Sequence, residues 1–263
     1  MLSILTITRS ETFDDLYMTG LKDPKSRLIF ALDVPSLDEA VSFVQKLDGS
    51  VGMFKVGLEL FIKEGPAVLS AIKNHSDAEI FLDLKLHDIP ATVERAVRSA
   101  AAHNVRFLTV HCAGGEAMLK AAVQGAGDSG LQILGVTVLT SLRIDHYTKI
   151  IGLSKDSNIM QLIEAYYQEA YKVGCAGVIC SGADLYFIKD KIKDSFLAVT
   201  PGIRPEYGNV KQDDQSRVTT PGSAIQNGAD YLVVGRPIRD ADDPKAAAQH
   251  IVQEISDALQ KRK

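Results

Sequence analysis

The stretch RLIFALDVPSLDEAVSFVQKL, residues 27–47, contains the unit that decides the fold. Its first half, Leu28–Leu32, is a short apolar run that is rich in β-forming residues and too short for a helix, and it ends at the charged Asp33. Its second half, Leu37–Leu47, carries apolar residues at the spacing of an amphipathic helix. The unit is therefore predicted to be a strand followed by a helix, with an acidic residue at the end of the strand.

The same unit recurs along the chain, and alternation of apolar strands with helices is typical of a parallel sheet covered by helices. Eight units between residues 27 and 263 match a (β/α)8 TIM barrel in a single domain, a fold of about 250 residues. An open doubly wound sheet is the alternative, but it usually carries G-x-G-x-x-G after its first strand, where Val34-Pro35-Ser36 stands here. The other predicted strands are Met53–Val56, Ile80–Leu84, Phe107–Val110, Ile133–Leu139, Gly177–Cys180, Phe196–Val199 and Tyr231–Val234, and the other predicted helices are Leu60–Lys73, Val93–Ala102, Ala117–Gln124, Ile159–Val173 and Pro244–Lys261.

Composition bounds the partners and the location of the protein. The 263 residues carry a formal net charge of -4, so nucleic acid is not expected as a general partner. No apolar run reaches the roughly 18 residues of a membrane span, and no signal peptide is expected. Three irregularly spaced cysteines predict reduced thiols and a cytoplasmic location. Residues 1–26 precede the repeat and are expected to be an N-terminal extension of a catalytic barrel that spans residues 27–263.

Charged residues end the first three predicted strands. Asp33 ends the first, Lys55 lies at the end of the second, and Asp83 and Lys85 end the third, with Asp88 three residues further on. Chemistry in barrels of this kind lies at the carboxyl ends of the strands, and residues two apart on a strand point the same way. A network that only satisfies buried charges is the simpler interpretation. Alternation of two lysines, Lys55 and Lys85, with two aspartates, Asp83 and Asp88, at this rim favours a catalytic array centred on Lys85.

The segment Asp83-Leu84-Lys85-Leu86-His87-Asp88-Ile89-Pro90 resembles the signature of the orotidine 5′-monophosphate decarboxylase family. The resemblance covers about residues 27–240, and it departs from the family at Ala91, where the family usually has Asn. Further segments that resemble the family, in order, are Leu32-Asp33-Val34-Pro35, Phe54-Lys55-Val56-Gly57, Thr109-Val110-His111, Val138-Leu139-Thr140-Ser141, Thr200-Pro201-Gly202-Ile203-Arg204 and Val234-Gly235-Arg236-Pro237-Ile238.

The resemblance implies an enzyme that converts orotidine 5′-monophosphate to uridine 5′-monophosphate and CO2, the last step of de novo UMP synthesis, without a metal or another cofactor. Lys85 is similar to the family's proton donor to C6 of the pyrimidine, and Asp83 would lie beside the substrate carboxylate. Lys55 would orient Asp83 and contact the ribose, whose hydroxyls Asp33 and Asp88 would hold. Asp88 comes from the partner subunit in the family, so the resemblance implies a homodimer with shared sites.

A phosphate site is predicted after the last strand, because loops after strands 7 and 8 usually bind phosphate in such barrels. Gly235 lets the backbone approach an anion, and the planar guanidinium of Arg236 can bind two phosphate oxygens. The polar stretch Arg204–Val218 is predicted to be a lid. By the resemblance, Gln215 of this lid contacts the phosphate, and Arg204 joins the substrate-binding residues.

Three hydroxyl residues complete the expected substrate site. Thr140 and Ser141 follow the fifth predicted strand and are expected to form hydrogen bonds with the pyrimidine or its neighbours. Thr92 is expected to reach the ribose or the pyrimidine.

Two other functions remain open at this stage. A 3-keto-gulonate 6-phosphate decarboxylase or hexulose phosphate synthase shares the D-x-K-x-x-D core but depends on Mg²⁺ and carries Glu where Lys55 stands. Mg²⁺ takes oxygen ligands, so Lys55 argues against that relative. A non-catalytic phosphate-ligand-binding barrel would keep Arg236 but has no need for the charged array on the opposite rim.

Overall fold

The computed structural model describes residues 23–142, 149, 158–188, 191, 196–205 and 218–261. Most of the expected N-terminal extension, most of the expected lid and the candidate residue Gln215 lie outside the described residues. The three cysteines, Cys112, Cys175 and Cys180, are all buried thiols. Within the described residues, no helix combines the length and the apolar character needed to cross a membrane.

Eight parallel strands close into a barrel in sequence order, which confirms the predicted fold. The first strand pairs with the last, so the sheet has no free edge and the open doubly wound alternative is wrong. The strands are β1 Leu28–Ala31, β2 Met53–Val56, β3 Glu79–Leu86, β4 Phe107–His111, β5 Gln132–Val136, β6 Gly177–Ile179, β7 Leu197–Thr200 and β8 Tyr231–Val234. The described helices are α1 Leu37–Leu47, α2 Leu58–Glu64, α3 Ala67–His75, α4 Pro90–Ala101, α5 Gly115–Ala126, α6 Ile159–Lys172, α7 Gly182–Ile188, α8 Pro221–Gln226, α9 Arg236–Arg239 and α10 Pro244–Lys261, with 3-10 turns at Pro24–Arg27 and Cys112–Gly114.

The second predicted helix is wrong as a single element, because residues 60–73 are divided between α2 and α3. Gly65 adopts φ +63° and ends α2, with its N–H bonded to the carbonyl of Phe61 at 2.8 Å. Pro66 follows at once and cannot continue the hydrogen-bond ladder of a helix. Apolar periodicity continues across this break, which is why the periodicity alone predicts one helix.

Strand β3 is longer and less regular than predicted. Its pairing with β4 shifts between Leu82, opposite Leu108, and Leu86, opposite Val110. Four steps along β3 therefore match two steps along β4, which is a β-bulge. Lys85 lies inside the bulge with φ +49°, in the left-handed backbone region that residues other than glycine seldom adopt. The bulge carries the strand on to Leu86 and places Lys85 at the rim of the barrel.

The barrel interior is apolar at its base and charged at the carboxyl ends of the strands. Successive residues on a strand point to opposite faces, so Lys55, Asp83 and Thr109 follow the inward-facing Met53, Phe81 and Phe107 by two positions and also face the interior. The apolar base consists of Ile29, Ala31, Met53, Phe81, Phe107, Leu134, Leu197, Val199, Tyr231 and Val233. The charged layer therefore rests on a rigid, tightly packed floor.

Candidate active site

A cavity of about 560 Å³ opens at the carboxyl ends of the strands. Its polar and charged lining residues come from the ends of β1, β2, β3, β6, β7 and β8 and from the segment after β5. This is the face on which barrels of this type carry their chemistry. The polar and charged lining side chains are Asp33, Lys55, Asp83, Lys85, Thr140, Ser181, Arg204, Arg236 and Arg239.

Four charges at this rim form one connected array. The Nζ atom of Lys85 lies 2.7 Å from Oδ2 of Asp83, and Nζ of Lys55 lies 3.6 Å from the same oxygen. Lys55 also contacts Oδ1 of Asp33 at 3.3 Å. Lysine and aspartate therefore alternate from Asp33 to Lys85 within one chain, whereas the predicted alternation consisted of Lys55, Asp83, Lys85 and Asp88. The side chains of Lys55 and Asp83 are about one-tenth exposed, whereas that of Lys85 is 31% exposed and faces the cavity.

Burial and neighbouring charges compete in setting the charge of this array. Burial by itself would raise the pKa of Asp83, but the nearby ammonium groups of Lys55 and Lys85 outweigh it and hold that pKa below the ordinary value of 3.8. Burial would likewise lower the pKa of Lys55, yet Asp83 and Asp33 raise it above 10.5. Asp83 and Lys55 are therefore both charged across the neutral pH range.

A guanidinium-rich side of the cavity lies after β7 and β8. Arg236 begins the short helix α9 directly after Gly235, as expected for a phosphate site. A β-carbon at Gly235 would lie 3.4 Å from Oδ2 of Asp33, at the short end of ordinary van der Waals contact. Arg204 also lines the cavity and donates from Nη1 to the carbonyl of Ile203 at 2.8 Å.

Among the described residues, two polar side chains that line the cavity were not predicted from the sequence. Arg239 donates from Nη1 to the backbone carbonyl of Asp33 at 2.9 Å and pairs with Asp240, so it ties the end of β1 to α9. Arg239 could have been predicted from its spacing, because residues three apart on a helix lie on the same face and Arg236 stands three residues before it. Ser181 follows β6 and lines the cavity, but nothing in its surrounding sequence distinguishes it from a helix-capping serine.

Some predicted site residues are not brought into the cavity of a single chain. Asp88 is exposed, and its carboxylate accepts a hydrogen bond from the N–H of Ile89 at 2.7 Å. Thr92 lies on α4 and Ser141 is exposed after β5, and neither lines the cavity, whereas Thr140 does. Their predicted contacts with substrate therefore remain predictions, as does the action of Asp88 on a partner's site.

No group of three or more histidine, cysteine, aspartate or glutamate side chains within the described ranges is arranged to hold a metal ion. The space between the carboxylates of Asp33 and Asp83 is occupied by the ammonium group of Lys55, which contacts both. The two carboxylates are therefore already paired with a cation that the chain itself supplies, the Lys55 ammonium.

Comparisons with known proteins identify the family of this chain. Residues 26–251 match the model of the orotidine 5′-phosphate decarboxylase / HUMPS family. The chain is 50% identical over 249 residues to orotidine 5′-phosphate decarboxylase of Desulfosudis oleivorans, a match that covers 92% of this chain and 100% of that protein. It is 45% identical over 230 residues to the enzyme of the same name from Anaeromyxobacter sp. (strain K), covering 87% and 97% of the two chains.

The same relationship is visible in three dimensions. The crystal structure of orotidine 5′-phosphate decarboxylase from Lactobacillus acidophilus matches with a TM-score of 0.74 and 36% sequence identity, covering 87% of this chain and 98% of that one. The barrel, the charged rim and these matches all agree, and the chain belongs to the orotidine 5′-phosphate decarboxylase / HUMPS family.

Proposed function

We propose that this chain decarboxylates orotidine 5′-monophosphate to uridine 5′-monophosphate and CO2, a step of pyrimidine biosynthesis, without a cofactor. Family membership and the names of its relatives support the reaction. The observation that carries the chemistry is the contact of 2.7 Å between the Lys85 ammonium and the Asp83 carboxylate at the open end of the barrel. This contact supports a cation and a proton source at the position where negative charge develops.

The chemical step needs both functions of Lys85. Loss of CO2 leaves an electron pair on C6 of the pyrimidine, and an ammonium group nearby stabilises that charge before it donates a proton to the carbon. Asp83 is ionised beside Lys85, and its carboxylate orients the Lys85 ammonium through the contact of 2.7 Å. The ammonium group of Lys55 lies 3.6 Å from the same oxygen, Oδ2 of Asp83, and adds a second positive charge there.

The remaining polar groups would bind the ribose and the phosphate. The side chain of Asp33 is 52% exposed at the cavity and offers acceptor oxygens to ribose hydroxyls. Arg236, with Gly235, would bind the phosphate, with Arg204 and the lid residue Gln215 as further contacts. Substrate contacts by the hydroxyl residues Thr92, Thr140 and Ser141 form part of the same proposal.

The proposal includes a homodimer in which Asp88 acts on the partner's site. The carboxylate of Asp88 lies outside its own cavity and is exposed, so it is accessible to a second subunit. A two-fold symmetric pair would exchange this contact in both directions. The proposal also includes a cytoplasmic location, which the three buried thiols support because a reducing compartment keeps thiols from pairing.

The Mg²⁺-dependent relative is the second candidate, because the matched family model also covers that branch. Lys55 argues against it on chemical grounds. An ammonium group has only donor hydrogens and cannot ligate Mg²⁺, and it already occupies the space between two carboxylates. A barrel that only binds a phosphate ligand leaves the Lys55–Asp83–Lys85 array without a role.

The test is a spectrophotometric assay with orotidine 5′-monophosphate after dialysis against EDTA. We expect full turnover after chelation, because every charge that the reaction needs is supplied by side chains. Turnover that disappears with EDTA and returns with Mg²⁺ would contradict the cofactor-independent reaction. Binding of uridine 5′-monophosphate without turnover of orotidine 5′-monophosphate would support the non-catalytic barrel.

A further inference from the structure

Thr109 is a fully buried residue of β4 that the proposed chemistry does not yet use. Its hydroxyl oxygen accepts a hydrogen bond from the backbone N–H of Lys85 at 2.9 Å. The same hydroxyl donates to Oδ1 of Asp83, also at 2.9 Å. The directions are fixed, because a backbone N–H only donates and an ionised carboxylate only accepts. One buried hydroxyl therefore links the backbone of Lys85 to the side chain of Asp83.

The bulge in β3 explains why a side chain makes this bond. Between Leu82 and Leu86 the ladder with β4 is interrupted, and Lys85 adopts φ +49° inside the interruption. A backbone N–H that leaves its ladder needs another acceptor when it is buried. Thr109 lies on the adjacent strand between the paired residues Leu108 and Val110, and its hydroxyl supplies that acceptor.

The two oxygens of the Asp83 carboxylate have different partners. Oδ1 is held by Thr109, and Oδ2 receives the ammonium groups of Lys85 at 2.7 Å and Lys55 at 3.6 Å. The last torsion of an aspartate side chain is soft, so an unheld carboxylate can rotate. The bond from Thr109 fixes that rotation and so fixes where Oδ2 points.

We propose that Thr109 is a positioning residue for the decarboxylation, which holds the backbone of Lys85 in the bulge and the carboxylate of Asp83 in one orientation. Together these contacts aim the Lys85 ammonium at the reacting carbon. The inference rests on the proposed function. A hydroxyl that only satisfied buried polar groups would affect stability, whereas a positioning hydroxyl affects the chemical step, because small misplacement of a reacting group is costly in rate.

The experiment compares Thr109→Val with Thr109→Ser and with a matched control. Thr137 is also buried near the end of a strand, but its hydroxyl donates to the carbonyl of Ile179 at 2.9 Å, away from the charged array. Thr109→Val should lower kcat by roughly 10- to 100-fold, as expected for a lost hydrogen bond to a charged group and a misplaced donor. KM should change by less than about threefold, because the phosphate contacts remain. Thr109→Ser should restore most of kcat, and Thr137→Val should keep the wild-type kcat.

The outcomes separate this inference from the proposed function. A wild-type protein without turnover would overturn the proposed function and this inference with it. An active wild type, with Thr109→Val no slower than Thr137→Val or with a defect confined to KM, would overturn the positioning role alone. Valine places a methyl group where contacts of 2.9 Å now lie, so Thr109→Ala, which adds no methyl, repeats the comparison against Thr137→Ala if the valine variant does not fold.

Discussion

Lys85 carries the proposed proton donor on a backbone in the left-handed conformation, which is unfavourable for residues other than glycine. A left-handed φ costs a residue other than glycine on the order of 1 kcal/mol, and such residues persist only where the surroundings enforce them. Here the enforcing contacts are the Thr109 hydroxyl on the backbone and the Asp83 carboxylate on the ammonium. Glycine would relieve the strain but would remove the ammonium, so the strain is the cost of placing a cation at this point.

Replacement of Lys85 by alanine should abolish turnover and preserve binding of uridine 5′-monophosphate. General acid catalysis is worth roughly 10²- to 10⁴-fold, so kcat should fall by at least about 100-fold. The proposed phosphate contacts at Arg236 would be unchanged, and product binding measured by calorimetry should stay near the wild-type value. Lys120→Ala, at an exposed lysine of α5 paired with Glu116, is the control and should retain wild-type kcat. A Lys85→Ala enzyme with a tenth of the normal kcat would show that another group donates the proton.

The lowered pKa of Asp83 predicts how stability depends on acid. Its folded pKa is below the ordinary value of 3.8, so the stability it contributes is present above about pH 4 and is lost as the pH falls through the folded pKa. Asp83→Asn should lower the free energy of unfolding by roughly 3 kcal/mol at pH 7, because a buried ion pair loses one partner. Urea unfolding should show this difference shrinking between pH 4 and the acid limit. A difference that stays constant down to pH 2 would contradict the assigned charge of Asp83.

Contacts between segments that are distant in the sequence were the part of the site that could not be predicted residue by residue. Asp83 and Lys85 could be placed on one face because a strand alternates, and their contact confirms it. The proposed role of Thr109 could not be predicted in this way, because it depends on a bulge that no glycine or asparagine marks in the sequence. Asp88 could be singled out by its spacing from Lys85, but its action on the partner's site could be expected only from the family resemblance.

At the scale of elements, the packing of α4 against α5 depends on one glycine. A β-carbon at Gly125 of α5 would lie 2.5 Å from the backbone carbonyl of Glu94 and 3.0 Å from the β-carbon of Val97, both on α4. The closer distance is below any normal contact, and the carbonyl belongs to a helix that cannot shift alone. The two helices can therefore approach this closely only with glycine at this position.

Gly125→Ala should destabilise the protein by roughly 1–3 kcal/mol, the range for overpacking a well-packed interior. Gly222 in α8 has open space around its missing β-carbon, so Gly222→Ala is the matched control and should be neutral or stabilising by up to about 1 kcal/mol. Urea unfolding of both variants measures the difference. Equal stabilities would mean that α4 and α5 can separate without loss.

Element boundaries were predictable where local chemistry sets them. Helix α1 begins after Ser36, whose hydroxyl accepts from the N–H of Glu39, and its predicted bounds Leu37–Leu47 are confirmed. Strand ends were less predictable, because parallel strands end where their neighbours stop pairing. The fifth strand was predicted to reach Leu139 but ends at Val136, and the third strand was extended by its bulge.

At the scale of the whole molecule, the barrel brings together residues that the sequence keeps far apart. Asp33 and Arg239 are separated by 206 positions, yet a hydrogen bond of 2.9 Å joins them across the closure between β1 and β8. Because a closed barrel has no free edge strand, the loops at the carboxyl ends of its strands are the parts of this rim that can contact another molecule. Asp88 lies in such a loop, between β3 and α4, and it is exposed.

The proposed shared site predicts complementation between two inactive variants. Lys85→Ala and Asp88→Ala homodimers should each be nearly inactive. Subunit exchange should form heterodimers as about half of all dimers, and in each heterodimer one site carries both defects while the other carries intact Lys85 and Asp88. Activity should therefore recover to roughly a quarter of the wild-type level per site. Exchange is verified by mass, and turnover is measured with orotidine 5′-monophosphate.

A matched mixture distinguishes shared sites from a general effect of mixing. Asp83 contacts Lys85 within one chain at 2.7 Å, so Asp83→Ala and Lys85→Ala damage the same chain's site. Their heterodimers contain one defect in each of the two sites, and no activity should return. Recovery in the Lys85→Ala and Asp88→Ala mixture but not in this one requires Asp88 to cross the interface. Verified exchange without recovery in either mixture would mean that each subunit builds its own site, because an Asp88 that acted within its own chain would leave every site of the heterodimer with one defect.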